Sequence, residues 1–273
     1  MELELLNGRT PNGADSIYWE MARTGSDDER PVVVLSHGAG GSHAVWYQQV
    51  PVLAQSFRVL TWDARGFGNS TNQGSGPSAE AGGADLGAVL DAVSVAKAHL
   101  VGQSMGGWHI SAFAVANPGR VQSLVYADTV GALWTPELRQ AITEFMSRGG
   151  LTSNTGSIPI GRHNALWQGT AEQDLAHAFL YQQLGSFHQP PMDKLGDIVS
   201  HTVHHDDIAA LGVPVLFVAG THDEIFPASL LQASSEKIPL ARFVEIPSSG
   251  HSPYFEQPRA WNESVLRFLN DAR

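Results

Sequence analysis

No cysteine occurs among the 273 residues, which excludes disulfides, thiolate metal sites and a cysteine nucleophile. Basic residues are scarce: 16 Lys and Arg stand against 27 Asp and Glu, for a net charge of −11. Nucleic acids and anionic membranes both attract clustered Lys and Arg, so neither is an expected partner. No apolar run approaches the length of a membrane-spanning helix. The first nine residues are acidic and polar, unlike the basic-then-apolar pattern of a secretory leader. A soluble protein, expected in the cytoplasm, remains. Its 42% hydrophobic content suits a packed fold, and its length allows one α/β domain or a core with an insertion.

What the chain does contain is an alternation of short apolar runs and amphipathic stretches. Residues 3–6 and 17–22 read as strands joined by a turn at Asn12-Gly13. Residues 32–36 are a continuous Val/Leu run, the mark of a strand buried on both faces. Helical spacing over 44–54 leads to a strand at 58–62, and over 86–97 to a strand at 100–102. Further strands are expected at 121–127, 213–218 and 242–246, and a closing helix at 258–269. This order implies α/β architecture, a mostly parallel sheet with helices on both faces. Residues 68–84, rich in Gly, Ser and Ala, read as a flexible loop. Residues 133–207 break the rhythm, with helical patterns at 136–146, 171–184 and 192–204, a Gly/Ser/Asn-rich stretch at 149–157 and no strand. The expected organisation is therefore a core of 1–132 and 208–273 carrying a helical cap of 133–207.

Gly102-Gln103-Ser104-Met105-Gly106 lies between the apolar run His99-Leu100-Val101 and a helical pattern at 108–117. A serine between glycines at a strand-to-helix junction is a nucleophile elbow, too tight for side chains two residues either side. A serine hydroxyl becomes a nucleophile when a histidine removes its proton and a carboxylate orients that histidine. Behind an elbow the expected order is Ser, acid, His. Asp223 follows the 213–218 run and His251 follows the 242–246 run, so both belong at the sheet edge where Ser104 emerges. Asp128, after the 121–127 strand, competes for the acid role, and Glu224 is a lesser rival. The oxyanion needs N–H donors. The backbone of Met105 supplies one, and the His37-Gly38-Ala39-Gly40 loop supplies the other, Ala39 being preferred to Gly40. Gly38, Gly40, Trp46, Trp108 and Trp134 are candidate substrate contacts, although Trp108 fits a packing role equally well. His37 reads as a brace for its loop, and Asp63 with Arg65 as parts of a structural turn. His201 and His205 would share a helix face, but with His204, Asp206 and Asp207 they read as a solvated helix end. No metal or cofactor is expected.

Taken together, His37-Gly38, Asp63-Ala64-Arg65-Gly66-Phe67-Gly68-Asn69-Ser70, the elbow, Asp223 and Gly250-His251-Ser252 resemble the motifs of α/β-hydrolase fold enzymes. The resemblance runs from residue 32 to the C-terminal helix. It implies eight core strands, a helical cap after the sixth and a Ser-Asp-His triad. Relatives that form alkyl-enzyme esters place Asp at the elbow, so Ser104 implies acyl chemistry. The expected activity is hydrolysis of a small to medium carboxylic ester or lactone through an acyl-enzyme. Carbon–carbon bond hydrolases and cofactor-free perhydrolases share Ser-Met-Gly-Gly and are the alternatives. The former typically carry Trp after the histidine, where this chain has Ser252. A ligand-sensing receptor with a retained triad is the alternative outside catalysis. The substrate itself and the oligomeric state are not legible.

Overall fold

Side chains of residues 32–36 alternate between two buried layers: Val32 and Val34 join one apolar cluster, Val33 and Leu35 the other. A strand with two buried faces needs helices on both. The computed structural model, which describes residues 2–24, 29–74, 76–147, 165–185, 190 and 195–273, has that arrangement. Its eight-stranded sheet runs in the order β1-β2-β4-β3-β5-β6-β7-β8. The strands are β1 (Leu3–Asn12), β2 (Asp15–Thr24), β3 (Val32–Ser36), β4 (Arg58–Trp62), β5 (Ala98–Gln103), β6 (Val121–Ala127), β7 (Val215–Gly220) and β8 (Ala241–Ile246). β1 and β2 form an antiparallel hairpin, β2 pairs antiparallel with β4, and all other pairings are parallel. Gly13, at φ +63°, turns the hairpin between the paired Asn12 and Asp15.

The helices are α1 (Val50–Leu53), α2 (Ala79–Ala92), α3 (Gly106–Ala116), α4 (Pro136–Ser147), α5 (Gln168–Gln173), α6 (Leu175–Leu184), α7 (Leu195–Val199), α8 (His205–Ala209), α9 (Ala228–Ser235), α10 (Pro253–Glu256) and α11 (Pro258–Asp271). Leu86, Val89 and Leu90 of α2 and Ile110 and Phe113 of α3 cover one face of the sheet. Leu53 of α1 and Trp261, Val265 and Leu269 of α11 cover the other. Each such side chain contributes about 1.5–3 kcal/mol on leaving water. α4 to α8 lie between β6 and β7, and the Val203 N–H donates to the Ala132 carbonyl at the neck of this insert. Among the described residues the insert has no strand. The Gly/Ser/Asn-rich stretch at 149–157 lies outside the described residues, as do 192–194 of the 192–204 pattern, whose remainder is helical only over Leu195–Val199.

Two further expectations change. The pattern at 44–54 is a 3-10 turn (His43–Trp46) followed by the short α1, not one helix. The segment read as a flexible loop starts α2 at Ala79, seven residues earlier than the spacing indicated. Ser78 caps it in extended geometry, its Oγ accepting from the Ala81 N–H at 3.0 Å. The glycines that disguise this helix are there for packing. A Cβ on Gly83 would come within 2.9 Å of the Phe113 backbone nitrogen, so glycine lets α2 and α3 approach. Helix propensity alone would have Gly83→Ala gain about 1 kcal/mol. We expect instead a loss of about 1–3 kcal/mol, because backbone cannot rotate away from the new methyl group. Denaturant unfolding decides the sign, and a gain in stability would refute the close-packing account.

Candidate active site

The parallel strands end together. Ser36 is level with Gly102, Gln103 with Ala127, Ala127 with Val218, and Gly220 with Ile246. Loops after β3, β5, β7 and β8 therefore leave from one edge. The sheet order also reverses between β3 and β5: from β3 the chain turns outward to β4, while later strands add on the β5 side. The loops after these neighbouring strands diverge and leave a crevice, the usual ligand position in open α/β sheets.

Ser104 stands at that crevice with φ +48°, a left-handed conformation that costs a non-glycine residue roughly 1–3 kcal/mol. The turn is imposed from both sides. The Ser104 N–H donates to the Ala127 carbonyl at 3.0 Å, and the Ser104 carbonyl accepts from Gly107 at 2.9 Å. A Cβ on Gly102 would lie 2.6 Å from the Gly106 oxygen, and one on Gly106 would collide with the Ser36 carbonyl. Gly38 is equally confined, since its Cβ would strike Gln103 Oε1 and come 3.0 Å from Ser104 Cβ. The loop after β3 thus lies directly against the elbow. Among the described residues, neither the Met105 nor the Ala39 N–H has an acceptor within the chain.

His37 fixes that loop. Its Nε2 accepts from the Ala64 N–H at 3.0 Å, which leaves Nδ1 protonated to donate to the Gly38 carbonyl at 2.8 Å. Burial lowers the pKa of this imidazole, so the neutral form that the two bonds require is the favoured one. Asp63 accepts from the backbone and side chain of His43 and from the Asn69 N–H, and Arg65 bridges Asp15 and Asp85. Both belong to the architecture of the neighbouring turns.

Asp223 and His251 meet. His251 Nδ1 is 2.9 Å from Asp223 Oδ2, and the other carboxylate oxygen accepts from the Ile225 and Phe226 N–H groups at 2.8 and 2.9 Å. Three hydrogen bonds leave the carboxylate no rotational freedom. Both residues are buried, and Ser104 is partly exposed. The loops that carry them are knit together by His222 N–H to the Ser249 carbonyl at 2.8 Å. Gln103, next to Ser104, donates to the His251 carbonyl at 2.9 Å. Asp128 is elsewhere in its bonding: Oδ1 accepts from the Gly220 N–H at 2.9 Å, and Oδ2 is buried with no partner among the described residues. Burial first, then the nearby charge of Asp223, pushes the Asp128 carboxyl well above the usual carboxylate range.

The three tryptophans separate. Trp46 is a core side chain rather than an open pocket wall, fully buried with its ring 4.8 Å from Tyr254 and 6.0 Å from Trp261. Trp108, also buried, packs on Phe226 at 6.0 Å and Trp134 at 6.4 Å. Trp134 lines a cavity of about 590 Å³ with Thr135, Pro136, Arg139, Gln140, Thr143 and Glu144. Gly38, Ala39 and Gly40 line a smaller cavity with Val45, Gln103, Tyr181, Gly185 and Tyr254. His201 pairs with Glu80 at 2.7 Å, and His204 with Asp207 caps α8. Two neighbours of the site escaped the sequence. Phe226 stacks on the His251 ring at 5.6 Å; its only signal is a position three past Asp223, where an Asp-led turn brings the chain back. Glu256 binds the His251 loop from α10, and an isolated acid before Gln-Pro gave no signal at all.

A profile of the Alpha/beta hydrolase family matches residues 33–264. The chain belongs to the alpha/beta hydrolase family. It is a hydrolase in class, as the sequence motifs implied. The RutD protein of Caulobacter sp. (strain K31), named provisionally as a carbamate hydrolase, is 29% identical over 94% of this chain and 96% of its own. The pimeloyl-[acyl-carrier protein] methyl ester esterase of Aeromonas hydrophila is 26% identical over 88% of this chain and 95% of its own. Among solved structures, a thermophilic esterase from Thermogutta terrifontis superposes with a TM-score of 0.78 at 25% identity, covering 98% of this chain and 99% of that one. Among the described residues no helix is long and apolar enough to cross a membrane.

Proposed function

We propose that this protein is a serine hydrolase that cleaves a small to medium carboxylic ester or lactone through an acyl-enzyme. The observation that carries the reading is the Asp223–His251 bond, joined through the Gln103-to-His251 carbonyl bond to the elbow that holds Ser104 left-handed. With Nδ1 engaged by Asp223, Nε2 is the ring nitrogen left to act as a base. In this reading Nε2 takes the Ser104 proton as Oγ bonds to the substrate carbonyl carbon. The N–H groups of Met105 and Ala39 receive the oxyanion. The imidazolium then protonates the departing alkoxide, leaving the acyl group on Ser104. Water repeats the sequence with His251 again as base, releasing the acid and restoring the serine. Residues 133–207 act as a cap that sets substrate size.

The similarity to a protein named for carbamate hydrolysis supports one further candidate substrate. A carbamate presents nitrogen in place of carbon on the acyl side of the carbonyl, and the same nucleophile, base and donors would serve. Intact-mass measurement after rapid mixing with p-nitrophenyl esters and carbamates tests the chemistry. The expected result is an adduct of one acyl or carbamoyl group, mapped to the Ser104 peptide, longer-lived for the carbamate. Turnover of these substrates with no adduct on Ser104 under single-turnover conditions would overturn the acyl-enzyme.

A further inference from the structure

Glu256 accepts three hydrogen bonds, as many as Asp223, yet it lies outside the triad. Its Oε1 accepts from the Trp167 N–H at 2.7 Å and the Thr170 hydroxyl at 2.6 Å, both in the insert. Its Oε2 accepts from the Gly250 N–H at 2.7 Å, immediately before His251. One side chain therefore ties the insert to the histidine loop. The joint is close-packed, since a Cβ on Gly250 would lie 2.6 Å from the Trp167 nitrogen. The Trp167 ring in turn stacks on His222 at 4.8 Å and 12°, next to Asp223. A second link runs from Tyr181 of α6 to Ser252, 2.8 Å between oxygens, on the other side of His251.

An apolar or amide side chain would fill the same space, so packing does not explain a buried acid. Burial opposes its charge and raises its pKa, and the donors offset part of that cost. What a carboxylate offers here is two acceptor atoms facing donors from two different segments. We propose that Glu256 is a positioning residue: it latches the 165–170 segment of the insert to the Gly250–His251 loop and so sets the His251 ring against Asp223. The latch rests on the triad reading above. It makes the insert part of the catalytic geometry as well as a cover over it.

Glu256→Gln tests this. The amide oxygen can face the Trp167 and Thr170 donors, but its NH2 then opposes the Gly250 N–H, so the histidine side of the latch is the one released. The expected result is a fall in kcat of about 10–100-fold, the scale of a small misplacement of a reacting group, with KM within about twofold. Alongside it, the low-field proton NMR resonance of His251 Nδ1–H, assigned by its loss in His251→Gln, should shift. Thr170→Val, which removes one donor on the insert side, should move the same resonance and lower kcat several-fold. A folded Glu256→Gln protein with wild-type kcat, a change in KM alone, or a fall in kcat with the resonance unmoved would each overturn the latch. If Glu256→Gln does not fold, an unmoved resonance in Thr170→Val overturns it. Ser104→Ala separates the two readings. Full activity in that variant sinks the triad, whereas an inactive Ser104→Ala beside a fully active Glu256→Gln sinks only the latch.

Discussion

Ser104→Ala should lower kcat toward p-nitrophenyl esters by roughly 10⁵- to 10⁶-fold, since the nucleophile of a triad acts as a unit with its partners. The melting temperature should stay within about 2 °C. The serine is partly exposed and held by its backbone, through Ala127 and Gly107, so loss of Oγ leaves those bonds intact. Alanine also keeps the left-handed penalty. Glycine does not. Ser104→Gly should be equally inactive yet more stable by about 1–2 kcal/mol, because φ +48° is free of Cβ conflict only for glycine. The pair separates chemistry from strain: two inactive proteins, one of which melts higher than the wild type. Rate loss confined to one of them, or an alanine variant keeping most of the wild-type rate, would remove Ser104 from the nucleophile position.

The tightness of that turn was legible in the sequence, although the left-handed Ser104 itself was not, and this marks how far sequence reading reached. Flanking glycines at the elbow have one physical cause, the lack of room around Gly102 and Gly106, and the local pattern carries it. The sheet was legible for a similar reason: a strand with two buried faces must be apolar throughout, as residues 32–36 are. The convergence of Asp223 and His251 followed from counting strand ends in a parallel sheet. Where glycine serves tertiary packing, the same residue misleads. At Gly82 and Gly83 it reads as a loop, and only the neighbouring α3 makes it a helix. Trp46 fails likewise, because its partners Tyr254 and Trp261 lie over two hundred positions away in the chain. Glu256 is the limiting case: all three of its bonds to the insert and the histidine loop depend on tertiary placement.

Asp223→Asn and Asp128→Asn should part by roughly three orders of magnitude. Asn at 223 keeps the shape and can keep the Ile225 and Phe226 N–H bonds through its carbonyl. Its NH2 then faces His251 Nδ1, selecting the wrong tautomer and removing the charge that stabilises an imidazolium, at a cost of about 10⁴ in kcat. At 128 the same substitution replaces a carboxyl that burial and the charge of Asp223 hold well above its usual range. The amide oxygen still accepts from Gly220, so kcat should stay within about threefold. Stability should respond in the opposite sense from activity. A folded-state pKa raised above the unfolded value means the native state binds the extra proton, so stability falls as pH rises from the ordinary carboxylate range toward that raised value. Removing the titration removes the fall. Asp128→Asn should therefore melt higher than wild type near pH 8 and lose that advantage toward pH 4, a comparison that thermal scans across pH supply. The converse activities, a crippled Asp128→Asn and a competent Asp223→Asn, would move the acid of the triad from β7 to β6.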